Sequence, residues 1–180
     1  MKRRFRDLAT PEVLALAISL EEEDGRILQE FARVLRPNYP KAAAGLDEMR
    51  KEEDSHRHRL VELFRKKFGE EIPLIRPQDV KGFVRRDPLP IWRSMAVDEV
   101  RRRVALLELE TERFYSHAAR QTTDAELRQL LGDLAEEERK HEQVSALWIR
   151  RIRRPRSARK RSESPASSSC CRWCSRASPA

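Results

Sequence analysis

The sequence predicts an all-α chain, a four-helix bundle with a long connection between its second and third helices. Two observations carry this. Apolar residues recur at helical spacing in four segments, marked by Leu14, Ile18, Leu28 and Leu35, then Leu46, Met49, Leu60 and Leu63, then Val104, Tyr115 and Ala118, then Leu127, Leu131, Leu134 and Trp148. The second half of the chain also repeats the acidic pattern of the first. A lone Glu interrupts one apolar stripe, and a Glu-x-x-His interrupts the next.

The first helix opens at Thr10-Pro11-Glu12, with a hydroxyl cap, a proline in the first turn and an acid at the positive end. It runs to about Arg36 and stops at Pro37. The break Pro37-Asn38-Tyr39-Pro40 is short, so the second helix folds back antiparallel, from about Lys41 to Phe68, and ends at Gly69. Residues 70–90 carry Pro73, Pro77, Pro88 and Pro90 and cannot form one helix. At ~3.3 Å per extended residue they can cross the length of a bundle, with a short helical turn near Gln78 to Arg85. The third helix is expected from about Pro90 to Arg120, parallel to the second. Thr123-Asp124-Ala125-Glu126 reads as a capping box opening the fourth, which runs to about Arg150.

Charge divides the chain into an expected bundle domain, 1–150, and a basic disordered tail, 151–180. From Ile149 onward there are ten Lys/Arg and one Glu, while the remainder holds 28 Lys/Arg against 29 Asp/Glu. The net charge of +8 therefore belongs to the tail, and the bundle is not expected to bind nucleic acid. The tail is built of Arg, Ser, Pro, Ala and Cys, with too little aliphatic surface to fold. Its Cys171-Arg172-Trp173-Cys174 is a lone C-x-x-C, so the four thiolates of a rubredoxin-type iron site are missing. No apolar run reaches 18 residues, and no apolar core follows the basic Met1-Lys2-Arg3-Arg4. The first 169 residues contain no cysteine, which agrees with a cytoplasmic setting.

The chemistry lies in the acids on the apolar stripes. In Glu53-x-x-His56 and Glu138-x-x-His141 the carboxylate and imidazole share one helix face, because three residues make about 300° of turn. One such pair is a weak signal. Here each follows a lone stripe acid, Glu21 by 32 residues and Glu108 by 30. An acid facing a core is costly unless it is paired or bound to metal. Four carboxylates balance two divalent ions, and neutral imidazoles complete a shell that suits iron, manganese or zinc. A lone Glu from each of two helices and a Glu-x-x-His from each of the other two is the ligand set of di-iron and di-manganese bundles. The expected metal ligands are thus Glu21, Glu53, His56, Glu108, Glu138 and His141. His58 and His117 lie off the stripes and read as solvated or supporting residues, Glu22 as solvated, and Glu23 as a substitute for Glu21.

These residues make positions 10 to 148 resemble a ferritin-like protein of the rubrerythrin type. The resemblance implies a ferritin-like four-helix bundle with a long crossover between helices two and three. It also implies two bound irons, with Fe(II) and O2 or H2O2 as partners in a ferroxidase or peroxidase-like reaction. In that family a Glu precedes an aromatic residue by about seven positions on the first helix of each pair. Glu108 before Phe114-Tyr115 fits, whereas the position expected after Glu21 is Leu28. Rubrerythrins often have an extra carboxylate, which makes Glu112, one turn after Glu108, a candidate seventh ligand. The stretch Ala15-Leu16-Ala17-Ile18-Ser19-Leu20-Glu21-Glu22-Glu23-Asp24 resembles more narrowly the membrane-bound ferritins, in which such a domain is fused to a vacuolar-iron-transporter-type domain on its cytosolic face. A role in iron homeostasis or export is the implied setting, with a non-enzymatic iron-sensing module as the alternative. A homodimer is also expected, covering the apolar Leu74, Ile75, Phe83, Val84, Leu89, Ile91 and Trp92 of the crossover.

Overall fold

The computed structural model describes residues 2–81 and 95–152, with side-chain surroundings described through residue 141. Its order is β1 (Arg3–Arg4), α1 (Thr10–Leu35), α2 (Pro40–Phe68), β2 (Val80–Lys81), α3 (Val97–Gln121) and α4 (Ala125–Ile152). Short 3₁₀ turns at Phe5–Asp7 and Pro77–Asp79 flank the strands. This is the expected all-α, ferritin-like bundle of four helices.

Helix boundaries follow from local chemistry. Pro40 opens α2, where a missing N–H costs nothing, and Gly69 ends it at φ 88°, a conformation open to glycine. Two expected caps shift. At α1 the cap position is Ala9, not Thr10, and the Glu12 carboxylate accepts the Ala9 N–H at 2.9 Å. Arg3 donates to the same carboxylate at 2.8 Å, fastening the N-terminal segment to the helix. At α4 the cap is Asp124, which accepts the Leu127 N–H at 3.0 Å. Glu126 does not close a box there, because Lys66 and Lys67 of α2 draw its carboxylate away. The third helix begins at Val97 rather than near Pro90. Residues 82–94, including Phe83, Val84, Leu89, Ile91 and Trp92, lie outside the described residues.

Helix directions can be read from cross-helix pairs. Residues 21 and 24 of α1 meet 115 and 111 of α3, so these helices are antiparallel. Residues 59, 66 and 67 of α2 meet 137, 126 and 124 of α4, so these are antiparallel too. Since α2 also opposes α1, α3 runs parallel to α2, as the long crossover requires. α1 packs mainly on α2 and α3 mainly on α4, and α1 also contacts α3.

The apolar core has two parts. One gathers Leu14 to Leu20, Leu60, Phe64, Phe114, Leu127, Leu131 and Leu134. The other gathers Leu28, Phe31, Leu35, Leu46, Val100 and Val104. Glu21, Glu53, His56 and Glu108 lie between the two parts in sequence. α1 is buried nearly all round from Leu14 to Leu20, beyond the single stripe expected. The extra cover comes from Phe5, Leu8, Ile75 and Val80. They are held there by a parallel bridge that pairs Arg3 with Val80 and Arg4 with Lys81.

Candidate metal centre

Glu21 (α1), Glu53 and His56 (α2), Glu108 (α3) and Glu138 (α4) are all buried, and His141 of α4 is nearly so, with 17% of its side chain exposed. They form two groups whose candidate ligand atoms lie within 4.8 Å of one another: Glu21, Glu53, His56 and Glu138, and Glu53, Glu108, Glu138 and His141. Glu53 and Glu138 belong to both. Each group therefore has its own carboxylate, its own imidazole and the same two shared carboxylates. All six residues expected as ligands are brought together.

The donor atoms point inward. His56 Nδ1 lies 3.1 Å from Glu138 Oε1, 3.3 Å from Glu53 Oε2 and 3.5 Å from Glu21 Oε2. His141 Nδ1 lies 3.2 Å from Glu108 Oε2 and 3.9 Å from Glu138 Oε2. The two rings are nearly parallel, at 14° with centroids 6.2 Å apart. Glu21 Oε2, His56 Nδ1 and Glu138 Oε1 are fully buried yet make no aligned hydrogen bond. Buried polar atoms are nearly always partnered. Three orphans converging on one point, all of them metal-ligating types, fit a cation.

Crowding acids in a core perturbs their proton affinity. Burial, with Glu138 and Glu21 nearby, drives the Glu53 carboxyl well above its ordinary range, and burial with Glu108 does the same to Glu138. Glu108 is pushed up to about 7, first by burial and then by the charges of Asp24 and Glu21. Burial also pushes Glu21 upward, but contacts with His56, Glu53 and Tyr115 outweigh it and leave that carboxyl low. His56 is raised despite its burial, because Glu138, Glu21 and Glu53 stabilise the imidazolium. Without metal, the cluster therefore holds protons in place of cations.

Tyr115 donates its buried hydroxyl to Glu21 Oε1. The corresponding position on α1, seven residues after Glu21, is the apolar Leu28. The centre is thus asymmetric: only the Glu21 side has a phenol. Asp24 is a buried acid that no helical stripe marks out, and it accepts the Thr111 hydroxyl at 2.9 Å. Glu112 is not drawn into either group. Its carboxylate faces Ser116 Oγ at 2.8 Å and Arg139 Nη2 at 2.9 Å, which is a physical reason against a seventh ligand. Glu22 is exposed, and Glu23 is half-buried and outside both groups. His58 is exposed with Nδ1 at 2.9 Å from the Asp54 carbonyl oxygen, and His117 packs on Phe5.

A bundle with two overlapping carboxylate-histidine groups between its helix pairs defines the class of di-metal carboxylate proteins. Residues 12–146 match the rubrerythrin family, and the chain belongs to that family. Two solved structures share the fold. One is an uncharacterized conserved protein from Magnetospirillum magnetotacticum, at 24% identity, a TM-score of 0.67, and coverage of 82% of this chain and 98% of that one. The other is a hypothetical protein from Pyrococcus furiosus, at 20% identity, a TM-score of 0.63, and coverage of 81% and 91%. No curated protein gives a match. Among the described residues no helix is long and apolar enough to cross a membrane.

Proposed function

We propose that the protein is a di-iron oxidoreductase that takes up two Fe(II) ions per bundle and oxidises them with O2 or H2O2, within iron homeostasis in the cytoplasm. The observation that carries this reading is the sharing of Glu53 and Glu138 between both groups, since shared carboxylates suit a pair of ions rather than two separate ones. Two bound ferrous ions supply two electrons, enough to reduce O2 to H2O2 or H2O2 to two waters. The chain's residues do the rest. Glu21 and His56 would hold one ion, Glu108 and His141 the other, and Glu53 and Glu138, common to both groups, would serve both. The Tyr115 hydroxyl fixes the orientation of Glu21. Protons held on Glu53, Glu138 and Glu108 leave as cations arrive, so loading strengthens as pH rises.

Anaerobic Fe(II) titration followed by separate additions of O2 and H2O2 tests the reading. Saturation at two Fe(II) per bundle and oxidation by at least one oxidant supports it. Tight binding without oxidation by either would assign the centre to iron sensing instead. Kinship with the ferritin-like domains of membrane-bound ferritins rests on residues 15–24 alone. Association as a homodimer is supported by Leu74, which is 98% exposed beside the half-exposed Ile72. Light scattering at micromolar concentration would report a monomer if that part were wrong.

A further inference from the structure

Both ligand motifs are preceded by another acid, giving Glu52-Glu53-x-x-His56 and Glu137-Glu138-x-x-His141. One residue is about 100° of helical turn, so Glu52 and Glu137 cannot share the buried face of their neighbours. Each reaches across to the opposite helix instead. Glu137 Oε2 of α4 lies 2.9 Å from Nε2 of His56 on α2. Glu52 Oε2 of α2 contacts Nε2 of His141 on α4. The two contacts are copies of each other under the internal repeat, and both border one open pocket lined by Glu52, Ser55, His56, Glu137, Lys140 and His141. Glu137 is itself held by Arg59 Nη1, at 2.8 and 3.0 Å from its two oxygens.

The two nitrogens of each ring are thus divided between two tasks. Nδ1 faces the buried carboxylates, and Nε2 faces an outer carboxylate. A neutral imidazole has one N–H and one lone pair. A carboxylate at Nε2 keeps the N–H there and leaves the Nδ1 lone pair directed inward, as a metal ligand must be. We propose that Glu52 and Glu137 are positioning residues that fix the tautomer and ring orientation of the metal-binding histidines in a crossed arrangement, Glu52 for His141 and Glu137 for His56. This rests on the di-metal reading and adds a rule of connection. Glu52 is next to Glu53 and one turn from His56 in sequence, yet it supports the other half of the centre. A surface ion pair with no such role would contribute little to anything.

Co(II) alone, added anaerobically to the full chain and followed by calorimetry and visible absorption, tests this. Wild type is expected to bind two Co(II). Glu52→Ala should weaken one of them about 10–100-fold and alter its absorption band, as supporting partners of histidine ligands do. Glu52→Gln keeps an oxygen acceptor for Nε2–H and should recover most of the affinity. In a His56→Ala background, where the His141 half is left, Glu52→Ala should still weaken binding; in a His141→Ala background it should not. Glu137→Ala should give the mirror result. Unchanged Co(II) affinity and spectrum in Glu52→Ala overturns the proposal while leaving the di-metal reading intact. So does an equal loss in Glu52→Ala and Glu52→Gln, which marks a charge effect only, or coupling of Glu52 to His56 in place of His141. Wild type that binds no Co(II) overturns the di-metal reading and this proposal together. The apo melting curve of Glu52→Ala should match wild type, since Glu52 is more than half exposed.

Discussion

The metal-free bundle should lose stability as pH rises from 4.5 to 7.5, and Glu108→Gln should remove a defined part of that loss. Burial and the neighbouring acids raise the Glu108 carboxyl from 4.5 to about 7 in the folded chain. Between those values the folded state keeps a proton that the unfolded state has released. Stability then falls with pH, because its slope follows the protons bound in the unfolded state minus those bound in the folded state. The contribution is intact below 4.5, is lost through about 7, and is flat above. At about 1.4 kcal/mol per pH unit, the gap between 4.5 and about 7 amounts to about 3 kcal/mol. Glu53 and Glu138 act in the same direction, and so does His56, whose raised value gives stability below 6.5 that is lost at higher pH. Glu21, held low, acts oppositely. Comparison of wild type with Glu108→Gln, which imitates the protonated acid, reports on Glu108 together with its upward push on Glu138. Urea unfolding with a chelator present, repeated across this range, should show wild type losing about 3 kcal/mol more than the variant. Parallel curves, or a wild type that gains on the variant as pH rises, would refute the reasoning.

Tyr115→Phe removes the buried donor to Glu21 and should cost the apo protein about 1–3 kcal/mol in urea unfolding; an unchanged midpoint would mean that the hydroxyl holds nothing. Leu131→Ala, at a position with no exposed surface, should cost about 2–5 kcal/mol by the same assay, and a smaller loss would show that the two helix pairs close over the gap. Asp124→Ala should cost about 1 kcal/mol through loss of the α4 cap, seen as a drop of about 2–4 °C in Tm.

The fold and the six central residues were legible because each leaves a periodic mark. Glu21, Glu53, Glu108 and Glu138 stand out where an apolar stripe needs a hydrophobic side chain, and the histidines follow at three residues. What was not legible depends on partners distant in sequence. Asp24 closes a run of four acids and looks solvated until Thr111, 87 residues away, is brought against it. Glu52 and Glu137 look like exposed helix acids until the opposite histidine is in place. The full burial of Leu16 and Ala17 needs the pairing of residues 3–4 with 80–81, which no local pattern announces. Pro90 read as a helix start because proline suits a first turn, but the helix opens at Val97 behind an Ala96 that offers no side-chain cap.

The proposed function rests on two cations sharing Glu53 and Glu138. Crystals soaked anaerobically in Fe(II) and measured on both sides of the iron absorption edge test it most directly. Two anomalous peaks about 3.5–4 Å apart are expected. One should lie against Glu21 and His56, the other against Glu108 and His141, with Glu53 and Glu138 touching both. A single peak in a fully loaded crystal, or two peaks with no carboxylate in common, would contradict it.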